Sequence, residues 1–354
     1  MDRDTFFFVR SFLLFSIVKR HSIFSKKRPY DRSLFWIALL FLSALFLMRS
    51  SYPLPVLSQG YFLDLYPLLP SSFAPTVTLF LFLVGLLVVR VTSNVYVLDD
   101  EDERSKATLL SLLLFFLFPL SFGSHPALSA IPFWGLAHYT LYASYREKNA
   151  PFEITDCAIA LSLATIVWPP SILLVPIMLF NIIDLQAFSG RNLLAFLFGY
   201  IAPLLLLATI LVMGGWQSAF LVSLEPMVQL QPIVYIDYLP SRVLFLGGGV
   251  LLLLYLWGIA GAMMHLSKKK VKVLQLTATL MRTLFLLLGG CLFTQHLEGF
   301  LLLMILPTAL LLSGVIQRKR LFNILIILLM IVILALWSWL YYPHFTQLFH
   351  QSAI

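Results

Sequence analysis

The side chains best suited to chemistry in this 354-residue chain are carboxylates, and they fall into two groups. The first is the run Asp99-Asp100-Glu101-Asp102-Glu103-Arg104. Clustered carboxylates can hold Mg²⁺ and, through it, a diphosphate, because the ion neutralises phosphate charge while the oxygens coordinate it. Asp99, Asp100, Asp102 and Glu103 are the candidates for such cofactor binding. That chemistry needs carboxylates three to four residues apart on one helix face and a second acidic motif on another loop. A contiguous run meets the first need only in part, and Glu147, Glu153, Asp156 and Asp184 are too scattered to meet the second. A solvated charged loop is the simpler reading. The second group is Asp64, Glu225, Asp237 and Glu298, with His125 and His296, all between or beside apolar stretches. A positioned carboxylate or imidazole can serve as general base, so Asp64, Glu225, Asp237, His296 and Glu298 are the catalytic candidates. Against this stands the ordinary use of a lone loop aspartate such as Asp64 as a turn or cap residue.

Several chemistries are excluded by pattern. Cys157 and Cys291 lie inside apolar stretches, with no CxxC pair and no Cys/His spacing suited to zinc, so neither a disulfide framework nor a metal site is expected. There is no G-x-S-x-G, Walker A, H-E-x-x-H or dinucleotide fingerprint, and no Asp-Gly-x-x-Ala-Arg pattern of alcohol phosphotransferases. No cofactor is assigned by motif. Enzymes of membrane-specific type stay open.

The elements that must position these groups are membrane helices. Hydrophobic residues make up 60% of the chain and charged residues 11%, against about 25% charged in a soluble domain. In hydrocarbon every backbone polar group must be paired internally, which leaves helices or closed barrels, and the long Leu/Phe/Ile runs lack the alternation of barrel strands. The expected fold is all-α: a polytopic bundle of about eleven transmembrane helices near 33–49, 73–93, 107–122, 127–143, 154–168, 171–187, 192–214, 242–264, 278–295, 298–316 and 321–342. The pairs joined at Gly123-Ser124-His125-Pro126 and at Trp168-Pro169-Pro170 are short, and each reads either as a full hairpin or as a shallower re-entrant one. Residues 1–30 carry an apolar stretch of about thirteen residues, too few to span a core of roughly 30 Å. They read as a retained interfacial amphipathic segment rather than a signal peptide. The domain division is then 1–30, a transmembrane domain over 31–342, and a tail over 343–354.

Orientation follows from Lys and Arg, which are retained on the cytoplasmic side. Eight precede the first span, followed by Arg104 and Lys106, Arg146 and Lys148, Arg191, Lys268 to Lys270 with Lys272, and Arg318 to Arg320. With the N-terminus inside, these twenty fall on the cytoplasmic side, and only Arg49 and Arg242 fall outside. The C-terminus is then external. The net charge of +8 has this membrane explanation, and no nucleic-acid partner is expected.

Within the apolar segments, Trp168-Pro169-Pro170 reads as a tight turn, with Asn181 and Asp184 beyond it toward the cytoplasm. Arg282 reads as snorkelling to the cytoplasmic interface behind an amphipathic entry segment, Lys272 to Met281. Gly247-Gly248-Gly249 and Gly289-Gly290 read as close helix packing. Trp216, Tyr235 and Tyr238 read as interfacial anchors.

Three segments carry a resemblance: Asn94 to Phe118-Pro119, Phe152-Glu153-Ile154-Thr155-Asp156-Cys157-Ala158, and Ser189-Gly190-Arg191-Asn192-Leu193-Leu194 leading to Ile201-Ala202-Pro203. Over about residues 20–215 the chain resembles an uncharacterised family of integral membrane proteins from Bacteroidetes, departing from it in the acidic run at 99–103 and in Trp168-Pro169-Pro170. The resemblance implies a Gram-negative inner membrane and makes Arg191 and Asn192 a cytoplasmic helix-start signature. The placement of Asp64 in the first external loop is also similar, in layout alone, to polytopic glycosyltransferases that use lipid-phosphate-linked sugars. Two functions follow as expectations. One is an envelope-biogenesis enzyme or transporter acting on a lipid-linked substrate at the external face. The other is a non-catalytic membrane scaffold for other envelope proteins. In either case membrane lipids are partners.

Overall fold

Every secondary-structure element among the described residues is helical, as a chain that must pair its backbone inside hydrocarbon requires. The structure, a computed structural model, describes residues 37, 40–45, 74–95, 101–118, 127–215, 239–265, 271–293, 297–316 and 319–351. The helices are α1 (Ala74–Val95), α2 (Glu101–Phe115), α3 (Ala127–Ala143), α4 (Pro151–Val167), α5 (Leu174–Asp184), α6 (Gly190–Met213), α7 (Leu239–His265), α8 (Val271–Phe293), α9 (Leu297–Val315) and α10 (Lys319–Gln351), with a 3-10 turn at Pro169–Leu173 between α4 and α5. Stretches Gly190–Met213, Arg242–Met264, Val271–Cys291, Leu297–Val315 and Arg320–Tyr342 are long and apolar enough to cross a membrane. Five such helices among the described residues make this a multi-pass membrane protein.

Local sequence sets the boundaries. Pro151 opens α4 at a position where its missing N–H costs nothing. Ser189 caps α6 by accepting a hydrogen bond from the Asn192 N–H at 3.2 Å. Among the departures from expectation, α2 covers Glu101–Phe115 instead of 107–122. Helix α8 begins at Val271, so Lys272 to Met281 continues directly into the apolar helix. Its threonines satisfy themselves: Thr277 and Thr279 donate to the carbonyls of Val273 and Gln275, which lets both hydroxyls be buried. Helix α10 runs past Tyr342 to Gln351. Residues 1–30 lie outside the described residues.

Helix α9 is the hub. It packs on α2, α3, α7 and α8, and every residue of its apolar stretch is buried. Outside that ring, α1 lies on α2 and α3, α5 on α8, and α10 on α7 and α2, while α6 packs mainly on α4. Lipid tails are as apolar as leucine, so helix association here relies on close packing and interhelical hydrogen bonds. The Trp134 indole donates to the Leu303 carbonyl at 3.2 Å, Trp337 to Phe116 at 2.9 Å, and the Tyr255 hydroxyl to Met281 at 3.0 Å. A Cβ at Gly247 would sit 2.6 Å from the Leu117 carbonyl oxygen, and one at Gly199 2.8 Å from that of Thr155. Of the packing expected of Gly247-Gly248-Gly249, that at Gly247 and Gly248 is present, whereas a Cβ at Gly249 meets nothing within 4 Å. At Gly289 and Gly290 an added Cβ meets nothing within 4 Å, so close packing does not explain that pair.

The contacts also give the depth of the α4–α5 hairpin. At its tip Trp168 lies on Gly299 and Phe300 in the first turn of α9, with the Trp168 and Phe300 ring centroids 5.1 Å apart. At its base the Arg146 N–H donates to the Leu185 carbonyl at 3.0 Å. This base shares one end of the bundle with the start of α8, because the Gln275 amide donates to the Asp184 carbonyl at 2.5 Å. The start of α2 meets the end of α9, where the buried Lys106 ammonium donates to the Ile316 carbonyl at 3.4 Å.

Candidate functional site

The hub helix carries a buried carboxylate at its start. Glu298 stands in the first turn of α9 and is only 6% exposed. The next two residues, Gly299 and Phe300, form the floor on which Trp168 rests, and a side chain at Gly299 would overlap that indole. An ionisable side chain buried in an otherwise apolar membrane helix is costly to place, and such residues commonly mark sites of substrate or ion handling. Further along α9, Ile305 and Leu306 help line a small crevice of about 20 Å³ between α1, α2, α3 and α9, with Gly85, Val89, Phe115 and Ile131. Its lining is apolar apart from Ser111, whose hydroxyl is turned to the Ala107 carbonyl of its own helix at 3.0 Å. Ile305 is seven residues from Glu298, about 10 Å along a helix. A space of this size holds little more than a water molecule and offers no group for catalysis.

The other candidates are placed as follows. Asp64, Glu225, Asp237 and His296 lie outside the described residues, as do Asp99, Asp100 and His125. Helix α2 begins at Glu101, so Asp102 and Glu103 occupy its first turn rather than an open loop. Among the described residues no three His, Cys, Asp or Glu side chains gather as a metal site would require. Cys157 and Cys291 are both free and buried.

The pair Arg191 and Asn192 divides into two roles. Arg191 is exposed, whereas Asn192 is fully buried and works as a clamp. Its amide nitrogen donates to the Ala187 carbonyl at 2.6 Å and to the Glu147 carbonyl at 3.4 Å, while the Ser189 hydroxyl donates to Lys148 at 2.9 Å. These bonds tie the α5–α6 turn to the α3–α4 turn.

Sequence reasoning missed a polar network between α5 and α8. Asp184 and Arg282 form an ion pair, so Arg282 does not simply snorkel alone and Asp184 is not a stray acid. Next to it the Asn181 amide donates to the Thr283 hydroxyl at 2.9 Å in the buried interior. Gln275 joins the Asp184 carbonyl to Tyr145, whose hydroxyl donates to the Gln275 side-chain oxygen at 3.1 Å. The signal was available: Asp184 and Arg282 are opposite charges at the same end of two apolar segments, and charges in membrane helices pair where they can.

Over residues 56–349 the chain matches the model of a family of unknown function (DUF6427). No curated protein and no solved structure matches it.

Proposed function

The chain belongs to DUF6427, a family whose function is unknown, and from that premise we propose that it acts on a lipid-linked substrate, with Glu298 as a polar group of the site. The observation that carries this reading is the buried Glu298 carboxylate at the start of the hub helix. The proposed setting is the bacterial inner membrane, N-terminus inside and C-terminus outside, with eleven crossings that put Glu298 at the external face. The basic-residue count supports that orientation. The contact of Trp168 with the first turn of α9 favours a full crossing by the α4–α5 hairpin. In this reading Asp64, Glu225, Asp237 and His296, which lie outside the described residues, are the further candidates for the same site.

A scaffold would present small or polar residues on its lipid-facing helices beyond what lipid demands. The exposed face of α6 carries Leu194, Phe198, Leu205, Leu206 and Ile210 instead, which acyl chains satisfy. The two readings separate in a deletion strain whose lipid extract is analysed by mass spectrometry. Accumulation of an undecaprenyl-linked or lipid A precursor is expected for the enzyme. An unchanged lipid profile would favour the scaffold.

A further inference from the structure

At the end of the bundle that holds the α3–α4 turn, two cations from distant parts of the chain converge on one aromatic ring. The Arg146 guanidinium carbon lies 5.3 Å from the Tyr145 ring centroid, and the Lys272 ammonium 5.7 Å from the same centroid. Arg146 belongs to the α3–α4 turn and Lys272 to the first turn of α8. Like charges held on one ring repel, and neither is paired with a carboxylate among the described residues, since Asp184, the acid of the adjoining network, is engaged by Arg282. We propose that this pair of cations binds the phosphate of an anionic phospholipid, with Tyr145 as the platform between them.

The geometry is built in advance. Arg146 has φ of 61°, a left-handed conformation that residues other than glycine and asparagine usually avoid. It is held there by its N–H bond to Leu185 at 3.0 Å. The turn around it is tied down again where Ser189 donates to the Lys148 carbonyl. Glycine would suit that backbone at no steric cost, so the arginine is there for its side chain. Tyr145 is fixed by its hydroxyl bond to Gln275, and Gln275 by its bond to Asp184.

The surroundings point to a lipid rather than to free phosphate. Ile183, Val271 and Leu274 are exposed large apolar side chains adjoining Asp184, Lys272 and Gln275, and Phe180 extends that apolar face one turn along α5. A headgroup between Arg146 and Lys272 thus has apolar helix surface below it for its acyl chains. Basic groups between membrane helices are a recurrent form of anionic headgroup recognition. This inference concerns the end of the bundle opposite Glu298 and does not rest on the lipid-linked-substrate reading.

The test is native mass spectrometry of the full-length protein released from detergent, titrated separately with phosphatidylglycerol and phosphatidylcholine. The wild type should retain phosphatidylglycerol about thirtyfold more strongly than phosphatidylcholine, the ratio that two basic residues contribute at a membrane surface. Lys272→Gln, a change at a helix start that leaves the Arg146 backbone untouched, should lower the preference about fivefold. Lys148→Gln, in the same turn but off the Tyr145 ring, should leave it unchanged. A preference that survives Lys272→Gln, or one that falls equally with Lys148→Gln, overturns the proposal. So does displacement of the bound lipid by millimolar inorganic phosphate, which would identify a soluble anion as the ligand.

Discussion

Helices α6 and α9 have similar composition and opposite fates. Both are strongly apolar and long enough to span a bilayer, yet 11% of the apolar stretch of α6 is buried against 100% of that of α9. Their mean hydropathies, 2.4 for α6 and 1.9 for α9, do not account for this difference. In a membrane, hydropathy places a helix in lipid but does not decide whether it meets lipid or protein, because the two solvents are equally apolar. What separates them is packing detail. Helix α9 has Gly299 under Trp168 and a backbone carbonyl at Leu303 that receives an indole N–H. Helix α6 approaches α4 closely at Gly199 and is otherwise secured at its start by the Ser189 cap and the Asn192 clamp.

This contrast can be broken or sharpened by substitution, with stability read from reversible denaturant unfolding of the purified protein in bicelles. Leu303→Ala, in the middle of the hub, should cost about 3 kcal/mol, since four neighbouring helices cannot all close the cavity. Gly299→Val should cost about 2 kcal/mol by forcing the Trp168 indole off α9, and a loss of the native tryptophan fluorescence maximum should accompany it. Asn192→Ala should cost about 1 to 2 kcal/mol, because the buried Ala187 carbonyl loses its donor and the partly buried Glu147 carbonyl a weaker one. Asp184→Asn should cost about 1 kcal/mol or less, the pair being discounted because the Arg282 side chain is 60% exposed. The smallest effect is expected at Leu205→Ala on the outer face of α6, within about 0.5 kcal/mol of wild type. A cost at Leu205 comparable to that at Leu303 would show that α6 is covered by another protein surface rather than by lipid.

The helices were largely legible in the sequence and their arrangement was not. Apolar runs bounded by charge and by Gly or Pro placed α3 at 127–143 and α9 within a residue or two, because length and hydropathy are local properties. The start of α8 was misjudged because Lys272, Gln275, Thr277 and Thr279 read as interfacial polarity. In fact the threonines bond back to their own helix and Gln275 bonds across to α5. The Asp184–Arg282 pair escaped notice for a related reason: each charge was weighed against its own segment, and ion pairing depends on which segments are neighbours. Asn192 stands in the first turn of α6, and its clamp on two turns needs partners 5 and 45 residues away. Of the catalytic candidates, Glu298 alone falls within the described residues, where it is buried, and Asp64, Glu225, Asp237 and His296 lie outside them.

The account turns on Glu298, and the most direct measurement is the lipid extract of a deletion strain complemented with Glu298→Gln, analysed by mass spectrometry beside the wild-type complement. The substitution keeps the size and hydrogen-bonding reach of the side chain while removing its charge and its capacity as a base. With the variant present at wild-type level in the membrane, the account predicts that the lipid-linked precursor found in the deletion strain persists. A precursor-free extract, indistinguishable from that of the wild-type complement, would contradict it.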